Sequence, residues 1–171
     1  MGLDMYLYKK HYVKNWSHQT PEEKTELTVK KGGKKHPEIN PDKVTYIQEE
    51  VGYWRKANAI HMWFVANVQG GVDECQESYV DQEKMRELLQ TCIAVRDNSN
   101  LIPAKDGINK EGKIIEDPTF AKDFLPSQSG FFFGGTEYDE WYLKDIEDTI
   151  KILEDELKLD HHVEYYYRAS W

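Results

Sequence analysis

The sequence predicts a single α+β domain in which three helices pack on a mainly antiparallel sheet. Apolar and polar residues alternate near both ends of the chain, at residues 3–8 and 163–169, with the period of a β-strand. Helix-like patterns lie between them without a regular alternation of strands and helices, which favours α+β. The 171 residues fit one domain. We therefore assign residues 1–171 to a single unit and expect the terminal strands to pair.

The composition indicates a folded chain with an aromatic core. Hydrophobic residues make up 39% of the sequence and aromatic residues 13%, which is enough to fill a core with large side chains. Acidic residues outnumber basic residues 31 to 22, and the formal charge is −9. This charge argues against a general binder of nucleic-acid backbones. The clearest basic group surrounds a glycine pair and indicates a solvated hairpin tip: Lys30, Lys31, Lys34 and Lys35.

Cysteine content and hydropathy suggest a compartment. The chain has two cysteines, Cys75 and Cys92, and begins without the pattern of a signal peptide. Reduced thiols and a cytoplasmic location are therefore expected. No apolar run approaches the ~18–20 residues that span a bilayer, so no membrane contact is expected.

The first half of the chain predicts three strands and one helix. After residues 3–8, further strands are predicted at 26–31 and 43–51, separated by a segment rich in glycine and proline. Gly52 interrupts the strand pattern. Residues 53–68 contain no glycine or proline before Gly70 and Gly71, which predicts a helix of about four turns.

The second half predicts two amphipathic helices around an irregular region. Asp81 is a good N-cap for a helix at 82–96, whose apolar residues recur every three or four positions. Residues 98–128 hold three prolines and two glycines with little periodicity, which predicts an insertion, lid or mobile loop. Residues 130–134 suit a short buried strand, and Thr136 is expected to open the third helix.

The candidate functional residues come mainly from the predicted helix 53–68. On a helical wheel Trp54, Arg55, Asn58 and His61 share one arc, although the rest of the helix is largely apolar and should be buried. A buried guanidinium, amide and imidazole each need a partner. One interpretation is a ligand pocket for an anionic or heteroaromatic molecule such as a nucleotide.

The other interpretation of this arc is structural. Arg55 would pair with a carboxylate such as Glu49, Glu50 or Asp4, while the amide and imidazole would hold backbone groups of the irregular loops. The sequence leaves both interpretations open.

A second candidate site lies at residues 130–140. Two glycines and Thr136 lead from the predicted strand into a helix N-terminus, whose free N–H groups can receive an anion. Thr136 and Tyr138 are therefore further ligand-binding candidates. Glu137, Asp139 and Glu140 already neutralise this helix end, so a simple capped helix after a tight turn is the alternative.

Catalytic and metal-binding patterns are weak. The sequence has no phosphate loop and no HExxH, GxSxG or CxxC motif. The two cysteines and the pair His161 and His162 lack the spacing of a recognised metal site. We therefore expect no cofactor and no metal, and we assign no catalytic residue. A nucleotide-processing hydrolase or transferase, with His61 as general base beside a carboxylate such as Asp139, Glu50 or Asp4, stays as an alternative.

Four motifs resemble a family of small uncharacterised bacteriophage and prophage proteins: GLDMYL at 2–7, YWRKANAIH at 53–61, GFFFG at 130–134 and YDE at 138–140. The resemblance covers nearly the whole chain and implies a genomic setting but no site residues. It favours a phage accessory protein in the bacterial host cytoplasm. Such a protein would bind a small anionic, nucleotide-like ligand and sequester a host signalling nucleotide in counter-defence. A host-protein interaction module is a further alternative, and a homo-oligomer stays open.

Overall fold

The computed structural model describes residues 2–104, 112–158 and 163–171, and it confirms the α+β class with a mainly antiparallel sheet. The described strands are β1 (Asp4–Tyr12), β2 (Lys30–Lys31), β3 (Lys34–Lys35), β4 (Tyr46–Arg55), β5 (Ser78–Val80), β6 (Leu101–Pro103), β7 (Lys113–Ile115) and β8 (Glu164–Ser170). The described helices are α1 (Asn58–Asn67), α2 (Gln82–Asp97), the short α3 (Thr119–Phe124) and α4 (Glu140–Leu157). Short 3-10 turns occupy Pro21–Glu23 and Pro41–Lys43.

The main sheet has four strands in the order β4-β1-β8-β5, and every neighbouring pair is antiparallel. The terminal strands β1 and β8 are neighbours at its centre, as the sequence predicted, with Asp4 opposite Ser170 and Lys10 opposite Glu164. Because side chains alternate along a strand, one face of this sheet carries the apolar residues and the other carries tyrosines and charges.

The helices cover the apolar face of the sheet. Leu3, Met5 and Leu7 of β1 are fully buried there, and the ring of Phe64 on α1 stacks on Tyr167 of β8 with 4.0 Å between centroids. The predicted apolar stripes of α2 and α4 and the predicted Asp81 cap of α2 are confirmed, since both helices bury one apolar stripe and α2 begins after Asp81. None of the helices in the described ranges has the length and apolar character needed to cross a membrane.

The predicted helix 53–68 is wrong at its N-terminal end. Strand β4 continues to Arg55, and α1 begins only at Asn58. Gly52 does not end the strand: a Cβ atom there would lie 2.9 Å from the Trp54 ring and 3.2 Å from Leu7 Cβ, so glycine makes room for the packed indole. The chain turns at Lys56, which has a positive φ of 61°. Pairing with β1, which local sequence patterns do not reveal, keeps residues 53–55 extended.

The segment before α4 also differs from the prediction. Residues 130–134 do not form a buried strand: Phe131 is 96% exposed and Gly134 turns the chain with a φ of 89°. The helix starts at Glu140 rather than Thr136, because Asp139 Oδ1 accepts hydrogen bonds from the backbone N–H groups of residues 141 and 142. A carboxylate cap placed three residues further on thus determines where α4 begins.

Residues 26–31 contain less regular structure than predicted, and residues 98–128 contain more. The strand predicted at 26–31 shrinks to β2, which pairs with β3 across Gly32 and Gly33, so the hairpin tip itself is confirmed. The irregular stretch 98–128 holds the β6–β7 pair and α3. These elements have three and six residues, which is too short for periodicity to reveal them.

Candidate functional site

The structure separates the four residues that the sequence placed on one arc. Trp54 and Arg55 are consecutive strand residues, so their side chains lie on opposite faces of the sheet. Trp54 is 3% exposed and its Nε1 donates to Thr149 Oγ1 at 2.8 Å. Arg55 is exposed, and its Nε lies 4.0 Å from Asp4 Oδ1. The expected carboxylate partner of Arg55 is therefore Asp4, at the limit of an ion pair.

Asn58 fastens the loop before α4 to the start of α1. Its Nδ2 donates to the carbonyl oxygens of Phe133 at 3.1 Å and Gly135 at 2.7 Å. Its Oδ1 accepts from the backbone N–H of Gln128 at 2.9 Å. The amide is buried and holds loop backbone, as the structural interpretation predicted.

His61 lies inside the core and is closed off from solvent, with 0% exposure. Its Nδ1 lies 2.8 Å from Tyr167 Oη and its Nε2 lies 3.0 Å from Asp73 Oδ2. A neutral imidazole satisfies both contacts when Nε2–H donates to the carboxylate and Nδ1 accepts from the phenol. The indole of Trp171 donates to the other oxygen of Asp73 at 3.1 Å. The carboxylate beside His61 is thus Asp73, and none of the three orienting carboxylates that the sequence suggested.

The two remaining candidates, Thr136 and Tyr138, make contacts within the loop that precedes α4. The Thr136 carbonyl accepts from Ser127 Oγ at 2.9 Å, and Tyr138 Oη accepts from the Ser127 N–H at 3.0 Å. The Tyr138 ring packs on Tyr142 with 4.9 Å between centroids. All three contacts are internal to the protein.

A cleft of about 330 Å³ opens beside these residues. It lies between the turn that joins β4 to α1, the loop after Phe133 and the first two turns of α4. Of the six predicted ligand-binding residues, Arg55 and Asn58 line it, and the other four do not. The remaining lining residues are Lys56, Ala57, Ala59, Ile60, Ser127, Gly134, Gly135, Glu137, Asp139, Trp141, Tyr142, Asp145 and Ile146.

One side of the cleft is cationic. Arg55 and Lys56 are both exposed there, at the end of β4. The alkyl chain of Lys56 lies against Gly134, where an added Cβ would meet Lys56 Cβ at 3.1 Å. In the described part of the chain, the backbone N–H groups of Gly134 and Gly135 donate to no backbone carbonyl. Free backbone donors beside two cations form a concave surface suited to an anion.

The opposite side is acidic and aromatic. Asp139 and Asp145 lie there, and Trp141 is 67% exposed at the rim. The Glu137 carboxylate instead lies against Gly135, where an added Cβ would meet its Oε2. Asp145 is half-buried, and this burial, with Asp148 and Asp139 nearby, raises the pKa of its carboxyl to about 7 against the partial opposition of Lys144. A carboxyl that titrates near neutrality in a cleft is a marker of functional sites.

Sequence reasoning missed three residues of this site, namely Lys56, Trp141 and Asp145. Trp141 and Asp145 are four residues apart on α4, so they share a helix face beside the buried stripe. An aromatic residue on the otherwise charged side of that helix is the one local signal that points to them. Lys56 gives no such signal, because its position depends on where β4 ends.

No family model matches this chain, and no match occurs among curated proteins or solved structures. Among the described residues, no group of three or more His, Cys, Asp or Glu side chains is placed to hold a metal ion. His161 and His162 lie outside the described residues. The site is therefore interpreted from its own geometry.

Proposed function

We propose that the cleft binds a small nucleotide-like ligand with an anionic group at one end and a base ring at the other. The observation that carries this proposal is the separation of charge within one cleft. Arg55 and Lys56 lie on one side, Asp139 and Asp145 lie on the other, and the Trp141 ring stands at the rim. A ligand with a uniform negative charge would meet repulsion from the acidic side.

The anionic end of the ligand fits the cationic side. A guanidinium donates two parallel hydrogen bonds to phosphate oxygens, and an ammonium adds a point charge. The free N–H groups of Gly134 and Gly135 supply further donors at the same place. Arg55 and Lys56 thus bind the phosphate, and the glycine backbone orients it.

The base end fits the acidic side. An exposed indole provides a stacking surface for any base, at about 1–3 kcal/mol per stacked base. The exocyclic amino groups of bases donate hydrogen bonds that Asp and Glu carboxylates accept. Asp145 is well placed for this contact because its side chain makes no hydrogen bond to another described residue. Asp139 keeps one oxygen on the helix cap and has the second oxygen available.

The motif resemblance to phage and prophage proteins supports the proposed location and biological role. The protein acts in the cytoplasm of a bacterial host, where it captures a signalling nucleotide used in defence. Capture needs affinity and no chemistry, and the imidazole that could have served as a general base is closed off in the core.

Thermal-shift measurements with mononucleotides and cyclic nucleotides test this function. A bound ligand raises the melting temperature in proportion to the logarithm of its concentration above Kd. Arg55→Gln and Trp141→Ala should each abolish most of the shift. Arg86→Gln, an exposed arginine on α2 away from the cleft, should leave it unchanged. Absence of any shift across the panel, or an equal shift in Arg55→Gln, contradicts the proposal.

Capture and turnover are separated by mass spectrometry of the ligand after long incubation. The proposal expects the nucleotide to be recovered unchanged at every time point. Conversion that disappears in Asp145→Asn would instead assign the site to a nucleotide-processing enzyme with this carboxyl as its proton carrier.

A further inference from the structure

The uncovered face of the main sheet carries a continuous group of tyrosines. We define the tyrosine face as Tyr6, Tyr8, Tyr53, Tyr79 and Tyr166, which come from all four strands. The rings of Tyr6 and Tyr8 stack with 5.8 Å between centroids, and Tyr6 contacts Tyr53 at 5.4 Å. Tyr79 meets Tyr166 edge-on at 5.8 Å. Core packing does not explain this group, because all five rings lie on the face away from the helices.

The size of this face approaches that of a protein interface. Tyr53 and Tyr79 are 46% and 56% exposed, and the adjoining pair Tyr12 and Tyr46 is 47% exposed at each residue. With the usual ring areas, these four side chains leave about 400 Å² accessible. Patches of this size on a monomer are often functional. Adding the surrounding charges brings the surface toward the ~800 Å² that each partner contributes to a stable complex.

Charged residues surround the tyrosines and nearly balance each other. Lys10 and Arg168 lie beside Glu50, Glu77 and Glu164. An aromatic centre with a polar, arginine-containing rim is the usual composition of a protein interface. A single-stranded nucleic acid could stack its bases on such rings, but it also needs a basic groove for its backbone. This balanced face in a chain of charge −9 does not provide one.

The pairing across β1 and β8 makes the face complementary to itself. Lys10 is opposite Glu164, Tyr8 is opposite Tyr166, and Tyr6 is opposite Arg168. Consider two copies whose tyrosine faces meet, related by a twofold axis that lies midway between the two sheets and runs parallel to β1 and β8. This axis places β1 of one copy over β8 of the other, with paired residues at the same position along the strands. Each residue position then faces its own cross-strand partner in the second copy: Lys10 faces Glu164, a ring faces a ring, and a guanidinium faces a ring. Within its own copy the Lys10 ammonium lies 3.9 Å from the centroid of the Tyr166 ring and pairs with Glu77, so its contact with the second copy adds a carboxylate to an existing pair.

We propose that the tyrosine face is the contact surface of a homodimer, formed by two copies of this chain stacked sheet on sheet about that axis. Such aligned sheets pack about 10 Å apart with their strands crossing at about 30°. The cleft lies at the ends of β4 and α4, and Arg55, on the same sheet face as Tyr53, is its residue nearest the dimer contact. This inference is independent of the ligand proposed for the cleft.

Charge reversal at one cross-copy pair tests the dimer. Lys10→Glu sets carboxylates against each other across the axis, and Glu164→Lys sets ammonium groups against each other. Each variant alone should dimerise at least about tenfold more weakly than wild type in sedimentation equilibrium. An equimolar mixture of the two variants restores opposite charges at both places and should form a heterodimer. Lys84→Glu, at a partly exposed lysine on α2 that pairs with Glu87, is the control and should dimerise like wild type.

Recovery in the mixture also shows that both variants fold. Tyr79→Ala, which removes an exposed ring without changing charge, should weaken the dimer as well. A wild-type chain that stays monomeric at several hundred micromolar overturns the inference, as does a mixture that forms no heterodimer. Binding of a labelled single-stranded oligonucleotide that is lost in Tyr79→Ala would assign the face to nucleic acid and would equally overturn it.

Discussion

Replacing Asn58 by alanine should destabilise the protein and loosen the loop that borders the cleft. The substitution removes two donated hydrogen bonds, to Phe133 and Gly135, and one accepted hydrogen bond, from Gln128. A typical hydrogen bond contributes about 0.5–1.5 kcal/mol net, so the three together are worth about 2–4 kcal/mol. The lower part of this range applies if water from the cleft reaches the freed carbonyl groups.

Urea unfolding followed by tryptophan fluorescence measures this loss as a change in the free energy of unfolding. Asn67→Ala is the matched control, because that exposed amide makes one hydrogen bond within its own helix. It should change stability by less than about 0.5 kcal/mol. Asn58→Asp keeps the acceptor for Gln128 but turns a carboxylate toward two carbonyl oxygens, so it should cost at least as much as alanine. A loss below about 1 kcal/mol in Asn58→Ala would refute the assigned role of this amide.

Three further predictions concern packing, protonation and thiol reactivity. Gly52→Ala should lower the free energy of unfolding in urea by about 1–3 kcal/mol, because the added Cβ would press on the Trp54 ring. An unchanged free energy of unfolding would contradict the packing described for β4. The Asp145 carboxyl has a folded pKa of about 7, above its unfolded value of 3.8, so the folded state holds the proton more tightly than the unfolded state. The free energy of unfolding therefore falls as pH rises from 4 through 7. Asp145→Asn should therefore stabilise the protein on the order of 1–3 kcal/mol above pH 7 and little near pH 4; a gain that does not depend on pH would exclude burial of this charge as the cause. Burial raises the pKa of the Cys92 thiol to about 12. In the native protein a thiol-specific reagent should therefore label the half-buried Cys75 and leave Cys92 unlabelled until the protein unfolds. Equal labelling rates for the two cysteines would show that the core is open to the reagent.

The fold could be predicted wherever periodicity and caps are strong. The alternation at both ends of the chain and the stripes of α2 and α4 indicated the correct elements, and Asp81 marked the correct start of α2. The failure at residues 53–57 has a physical cause. A run without glycine or proline suits a strand or a helix, and the choice depends on hydrogen bonds to β1, some fifty residues away.

The candidate site could be predicted only in part for the same reason. Arg55 and Asn58 do line the cleft, but they meet there because a strand ends and a helix begins between them, and not because they share a helix face. Trp54 and His61 turned inward to partners on α4 and β8. The acidic side of the cleft comes from α4, and local sequence patterns contain no information on which two distant segments will meet.

Ligand-induced changes in the ¹H–¹⁵N spectrum of the labelled protein test the central claim most directly. The nucleotide with the largest thermal shift is titrated into the wild-type chain. We predict saturable shifts of the Gly134 and Gly135 amides and of the Trp141 indole, while the Tyr79 amide on the tyrosine face stays unchanged. An unchanged spectrum, or shifts confined to residues outside the cleft, would contradict the assignment of this cleft as a nucleotide-binding site.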